Sequence, residues 1–186
     1  MENILFVNAC FRPGSRTLRL AKLVLQRFAG QMEEVDLGKE IIEPLNAETL
    51  AMREALVKAG DYAHPMFRYA RKYAQADVIV LAAPCWDLSF PAVLKNYMEA
   101  VMVPEITFRY SPQGIPEGLC KAKELIYVTT VGGPLAGNDH GFQYIKALAQ
   151  VYHGISDVRC FAAENLDIAG EDVEKIMKKT MEEMRE

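Results

Sequence analysis

A doubly wound α/β fold, with five parallel strands in the order 2-1-3-4-5, is what this chain predicts, and three observations carry the prediction. Short apolar runs alternate with segments whose apolar residues recur at helical spacing, the pattern that right-handed helical crossovers between parallel strands impose. The length, 186 residues, suits one domain over residues 1–186 with a sizeable core. A content of 51% hydrophobic and 25% charged residues is that of an ordinary globular chain, which excludes disordered, collagenous and small disulfide-stapled proteins.

The first strand is the unbroken run Ile4-Leu5-Phe6-Val7, and the helix after it carries Leu18, Ala21, Leu25 and Phe28 on one face beyond a Pro-Gly-Ser turn. Met32 to Leu37 is shorter in apolar content and suits an edge strand. The connection from Gly38 to Asp61 contains a helix from Ala47 to Ala59. Val78 to Ala83 forms a central strand, followed by Pro84 and a helix with Pro91 in its first turn and Val93, Leu94, Tyr97, Met98 and Val101 on its core face. Leu125-Ile126-Tyr127-Val128 is the next strand, Phe142, Ile145, Leu148 and Tyr152 mark a helix, and Val158 to Ala163 is the last strand. A closing helix shows Val173, Ile176, Met177, Thr180, Met181 and Met184. The long connection from Val103 to Ala122, rich in Pro and Gly around Ile106-Thr107-Phe108-Arg109-Tyr110, reads as a lid, a binding loop or an interface.

The charge balance, 21 basic against 25 acidic side chains, would repel a polyanion, so nucleic acid is not expected as a partner. No apolar run approaches the ~20 residues that cross a bilayer, and the start Met1-Glu2-Asn3 lacks the basic character of a signal peptide. Cys10, Cys85, Cys120 and Cys160 are scattered, with no C-x-x-C pair to hold zinc or exchange disulfides, so no metal is expected. These features together point to a cytoplasmic protein.

In a sheet of this order ligands bind beyond the carboxyl ends of the strands at the switch point, which selects three loops. The first, Cys10-Phe11-Arg12-Pro13-Gly14-Ser15-Arg16-Thr17, leads straight into a helix, whose free N–H groups with two hydroxyls and two guanidinium groups suit a phosphate. Simple capping by Ser15 or Thr17, with solvated arginines, is the other reading. The second loop, Pro84 to Pro91, holds Trp86, the only tryptophan, where a planar ligand could pack or the ring could cover its own loop. The third, Thr129-Thr130-Val131-Gly132-Gly133-Pro134, has paired glycines that permit a close backbone approach or a plain turn. His140 follows, as a hydrogen-bond or proton donor or a solvated side chain.

One rival reading is hydrolytic. Cys10, five residues, then Arg16-Thr17 matches the C-x5-R-[ST] loop of low-molecular-weight tyrosine phosphatases, with Cys10 as nucleophile and Arg16 as oxyanion holder. Against it, Pro13 removes an N–H from that loop, and the chain has no Asp-Pro dipeptide of the kind that carries the acid there.

Taken together the three loops resemble the FMN-binding quinone reductase and azoreductase group of flavodoxin-like NAD(P)H oxidoreductases. The segment from Pro84 to Tyr97 is similar to that group's Pro-x-Tyr/Trp-x-x-x-x-Pro-x-x-Leu-Lys signature, and Ile106 to Tyr110, Glu117-Gly118-Leu119 and Thr129 to Gly133 continue the match in order. Asp87 stands where azoreductases often carry Asn, and Arg-Pro-Gly-Ser-Arg-Thr replaces the more usual Ser-x-Ser phosphate loop. The resemblance implies a flavodoxin-like fold, FMN as cofactor and NADH or NADPH as electron donor. It implies a ping-pong cycle with a quinone, azo compound or similar flat acceptor, and a homodimer in which the Val103 to Ala122 segment completes the partner's site. Arg12, Ser15, Arg16 and Thr17 would hold the phosphate, Pro84, Cys85, Trp86 and Asp87 the isoalloxazine, and Thr130, Gly132 and Gly133 its other edge. Trp86, Phe108 and His140 would line the substrate space, with no protein nucleophile, because the flavin carries the chemistry. A non-enzymatic flavodoxin-type electron carrier shares the fold, but commonly with shorter crossovers.

Overall fold

The structure, a computed structural model, describes residues 1–184. In chain order the strands are β1 (Glu2–Asn8), β2 (Gly30–Asp36), β3 (Val78–Ala82), β4 (Phe108–Tyr110), β5 (Pro116–Gly118), β6 (Glu124–Thr130) and β7 (Asp157–Ala163). The helices are α1 (Arg16–Leu25), α2 (Ala47–Ala59), α3 (Arg68–Gln75), α4 (Ala92–Val101), α5 (His140–Leu148) and α6 (Val173–Glu183). Five strands form one parallel sheet in the order β2-β1-β3-β6-β7, the 2-1-3-4-5 arrangement of a flavodoxin-like fold.

Because a strand's side chains alternate, each central strand feeds two cores. Ile4 and Phe6 of β1 pack with Val78, Val80, Ile126 and Val128 beneath Leu20 and Val24 of α1 and Met177 of α6. Leu5 and Val7 face the other way, with Ile79, Leu81, Leu125 and Tyr127, beneath α3, α4 and α5. The central strands β1, β3 and β6 are therefore buried on both faces, while β2 at the edge buries only Val35.

One helix departs from the sequence expectation. Helix α3 was not anticipated, because Arg68-Tyr-Ala-Arg-Lys-Tyr-Ala-Gln has little apolar content, yet Tyr69, Ala70, Tyr73 and Ala74 make one buried face. It is α3 that packs on the sheet between β2 and β3. The expected helix α2 stands outside it with no buried residue, held by an Asn46–Thr49 capping box and by Arg53 Nη1 donating to Glu99 O (3.1 Å).

The Val103 to Ala122 connection is not a lid over its own crevice. Helix α4 runs back from the carboxyl end of the sheet, so this segment lies at the amino end, where β4 and β5 pair as an antiparallel hairpin. The hairpin is pinned to a π-helical turn, Ala149–His153, that prolongs α5. Gly118 lies so close to that turn that a Cβ would meet Gly154 N at 2.2 Å, so only glycine fits. Inside the turn His153 is fully buried, its Nε2 3.2 Å from Met102 Sδ and its ring 4.8 Å from that of Tyr73. Burial pushes the imidazole down from its ordinary 6.5 to about 4.

Candidate functional site

The crevice beyond β1, β3 and β6 has a volume of about 340 Å³ and is walled by four loops, one of which the sequence reading passed over. Its first wall is the loop after β1. Asn8 Oδ1 accepts from Cys10 N (3.0 Å) to set the chain's exit from the strand. Arg12 O then accepts from Ser15 N (3.1 Å), with Gly14 in the left-handed region at φ 70°. Ser15 Oγ accepts from Leu18 N (3.2 Å) as the N-cap of α1, so the capping reading is realised, yet a hydroxyl in that role keeps a hydrogen with which to donate. Thr17 is buried, and its Oγ1 shares a 2.6 Å hydrogen bond with Thr130 Oγ1, tying the first loop to the third.

The wall after β3 is held to β6 by Cys85 N donating to Thr130 O (3.0 Å). Trp86 and Ser89 then exchange two backbone hydrogen bonds of 2.9 Å around Asp87 and Leu88, both at positive φ (52° and 65°). That is the signature of a type I′ turn, which glycine and asparagine favour. Leu88 at such an angle costs of order 1–2 kcal/mol, and strain of this kind concentrates at ligand sites. Trp86 is 41% exposed and its ring centroid lies 6.1 Å from that of Phe11, so an aromatic pair spans the first two loops. Phe11 was not among the residues the sequence singled out.

The third wall needs only one of its two glycines, and for a different reason from the one expected. Neither Gly132 nor Gly133 has a positive φ. A Cβ on Gly132 would come within 2.6 Å of Asp167 Oδ2, whereas one on Gly133 would meet nothing within 4 Å. Asp167 belongs to the fourth wall, the loop after β7, which is zipped to the third by Leu166 N to Val131 O (3.1 Å), Asp167 N to Gly132 O (2.9 Å) and Asn165 N to Gly133 O (3.2 Å). Arg16 Nη1 donates to Asp167 Oδ1 (2.9 Å) and to Leu166 O (3.2 Å), so this guanidinium is engaged within the protein. Arg12, exposed on the same crevice, has no ion pair among the described residues.

Of the expected site residues, Arg12, Ser15, Arg16, Thr17, Pro84, Cys85, Trp86, Thr130 and Gly132 line the crevice. Asp87 and Gly133 do not line it; Asp87 sits exposed in the tight turn. His140 lies beside that turn, its N–H donating to Leu88 O (3.1 Å), with the residue exposed at the start of α5. Phe108 is not brought to the crevice: it is 5% exposed, edge-on to Tyr110 and Tyr152 at 5.5 and 5.2 Å.

Cys10 is unsuited to attack phosphate. Burial pushes its thiol up to about 11, where a nucleophilic cysteine needs the opposite shift, and Sγ donates to Ala82 O (3.6 Å). Arg16, the oxyanion holder of the hydrolytic reading, is committed to Asp167. Nothing in the site supports the phosphatase alternative. Cys85 is likewise raised by burial. No group of His, Cys, Asp and Glu suited to a metal occurs among the described residues.

An open parallel sheet with its crevice at the switch point defines a doubly wound α/β protein with its ligand site beyond the carboxyl ends of the strands. The chain belongs to the family described as "Flavodoxin-like fold", which matches residues 2–186. A relative from Clostridium acetobutylicum, named FMN-dependent NADH:quinone oxidoreductase 2, is 34% identical over 199 aligned residues, covering 100% of this chain and 98% of that protein. Among solved structures, an azoreductase from Bacillus anthracis superposes with a TM-score of 0.87 at 23% identity, over 99% of this chain and 97% of the other. An FMN-dependent NADH-azoreductase from the same organism, solved with FMN, gives 0.84 at 19% identity, over 99% and 96%. These structural likenesses show the fold.

The residues present fit FMN. The start of α1 gives backbone N–H groups and a hydroxyl donor beside the Arg12 guanidinium, which has no ion pair among the described residues, a donor set for a phosphate. Trp86 gives an exposed apolar face, and Gly132 leaves the backbone bare where a side chain would intrude.

Proposed function

We propose that this protein is an FMN-dependent oxidoreductase passing electrons from NADH or NADPH to a quinone, azo compound or similar flat acceptor. The observation that carries the reading is one crevice in which an anion-binding helix start and Trp86 stand on adjoining walls. The relative's name, FMN-dependent NADH:quinone oxidoreductase, supports it.

Bound FMN would supply the redox chemistry, taking electrons from the reduced nicotinamide and handing them to the acceptor in ping-pong order. The chain's part is to bind, orient and exclude water. Arg12, the Ser15 hydroxyl and the free N–H groups of α1 would hold the phosphate. The Thr17–Thr130 hydrogen bond fixes the spacing of two walls, and the strained turn beside the crevice would hold Trp86 against the isoalloxazine. His140, tied to that turn through Leu88 O, would hydrogen-bond an acceptor oxygen. The purified chain should be yellow, and NADH should be consumed on addition of a benzoquinone; a colourless protein that neither binds added FMN nor oxidises NADH overturns the assignment.

The active form in this reading is a cytoplasmic homodimer, built from one domain per chain. Tyr110 and Ile115 of the β4–β5 hairpin are 54% and 62% exposed, apolar surface that a partner would cover. A two-fold axis across the strands would bring this amino-end hairpin beside the partner's carboxyl-end crevice. The right probe is Ile115→Asp, expected to lower the solution mass from dimer to monomer by light scattering, with an unchanged mass overturning the interface. Phe108→Asp is not a clean probe, because that ring is buried within its own chain.

A further inference from the structure

The phosphate end of the crevice contains an acid that a phosphate site would not be expected to carry. Asp167 lines the crevice together with Arg12, Ser15 and Arg16, and its side chain, 69% exposed, is paired through one carboxylate oxygen. Oδ1 accepts from Arg16 Nη1 at 2.9 Å, and Oδ2 occupies the space that a Cβ on Gly132 would take. Its own backbone N–H is fixed to Gly132 O at 2.9 Å, and Arg16 gains a second anchor at Leu166 O. The arginine that opens α1 is thus turned across the crevice to the loop after β7, 151 positions away in sequence. Arg12, in the same loop, has no such partner among the described residues.

We propose that Asp167 is a positioning residue that withdraws Arg16 from the flavin phosphate, leaving Arg12 to supply the charge there and weakening FMN relative to riboflavin. The inference rests on the FMN reading above. Its physical basis is that a phosphate near neutral pH carries close to two negative charges, so a fixed carboxylate on the same cavity repels it, while riboflavin has no charge at that end and is indifferent. Arg16 offsets the carboxylate; it does not ligate the phosphate. The pair makes a neutral wall, and the net attraction comes from Arg12 and the N–H groups of α1.

Fluorescence titration of the flavin-stripped full chain with FMN and with riboflavin separates the possibilities, since it needs no turnover. Asp167→Asn keeps the shape, the backbone N–H bond to Gly132 O and an acceptor oxygen for Arg16, but removes the charge. It should tighten FMN by about three- to ten-fold, leave riboflavin within about two-fold, and lose most of the difference in high salt. Arg16→Gln should weaken FMN selectively by exposing the carboxylate, and the double variant should return to near the wild-type value. A double variant as weak as Arg16→Gln would show Arg16 to be a direct phosphate ligand and overturn the proposal. So would an Asp167→Asn variant that weakens both flavins together, the result expected if the residue only braces the loops, or one that leaves FMN unchanged. A wild-type chain that binds neither flavin would remove the cofactor assignment itself, a failure distinct from these.

Discussion

The loops after β1 and β3 meet across the crevice at the Phe11–Trp86 contact, yet their backbones obey different demands. The first is relaxed: Gly14 takes the one left-handed position, Ser15 caps the helix, and Arg12 O closes the turn. The second places Asp87 and Leu88, neither of them glycine, in consecutive left-handed positions and holds them there by two backbone hydrogen bonds. A loop that needs only donors can be built from ordinary capping chemistry, whereas one that must hold a ring and a backbone edge in place accepts strain to do so.

The contrast predicts that damage to the two loops will be read by different ligands. Trp86→Ala should weaken FMN and riboflavin alike, by about ten- to hundred-fold, the loss expected for one large apolar contact, measured by titration of the stripped chain. If only FMN suffered, the ring would not be where the flavin packs. Ser15→Ala should cost about 1 kcal/mol of stability in urea denaturation through loss of the cap, and weaken FMN but not riboflavin. Leu88→Gly should raise stability by about 0.5–1 kcal/mol by releasing the left-handed strain, while slowing turnover; a destabilised variant would show that the turn is not strained. The smallest effect belongs to Gly133→Ala, within about 0.5 kcal/mol, since open space surrounds that position, in contrast to Gly132→Ala, which should displace the Asp167 carboxylate.

The relaxed loop was legible in the sequence because its signals are local: a strand, a Pro-Gly-Ser turn and a helix start lie within a few residues of one another. The five sheet strands were legible for the same reason, with ends displaced by at most two residues. Helix α3 was missed because its buried face is made of Tyr and Ala between charged residues. The role of Asp167 was invisible because it depends on Arg16, which only the folded sheet brings near. The strain at Asp87 and Leu88 could not be read either, since nothing in that dipeptide demands a positive φ. The Val103 to Ala122 segment carried a real apolar signal, but most of it is satisfied within the chain: Phe108 packs on Tyr152, and only Tyr110 and Ile115 remain exposed.

The buried imidazole of His153 makes the end of the sheet away from the crevice a proton-linked element. In the unfolded chain this group takes up a proton near pH 6.5, but in the folded chain only near 4. Between those values the unfolded state binds more protons, so the His153 contribution to stability is complete above about pH 6.5 and is lost as pH falls toward 4. The loss amounts to about 3 kcal/mol across the window, a sizeable share of an ordinary domain's stability. Urea midpoints should therefore fall between pH 7 and pH 4.5 in the wild type and change less in a His153→Leu variant. Because Gly118 rests on the backbone of that turn, acid should free the β4–β5 hairpin before it disturbs the crevice walls, so that the proposed dimer would come apart at a milder pH than the one at which cofactor is lost.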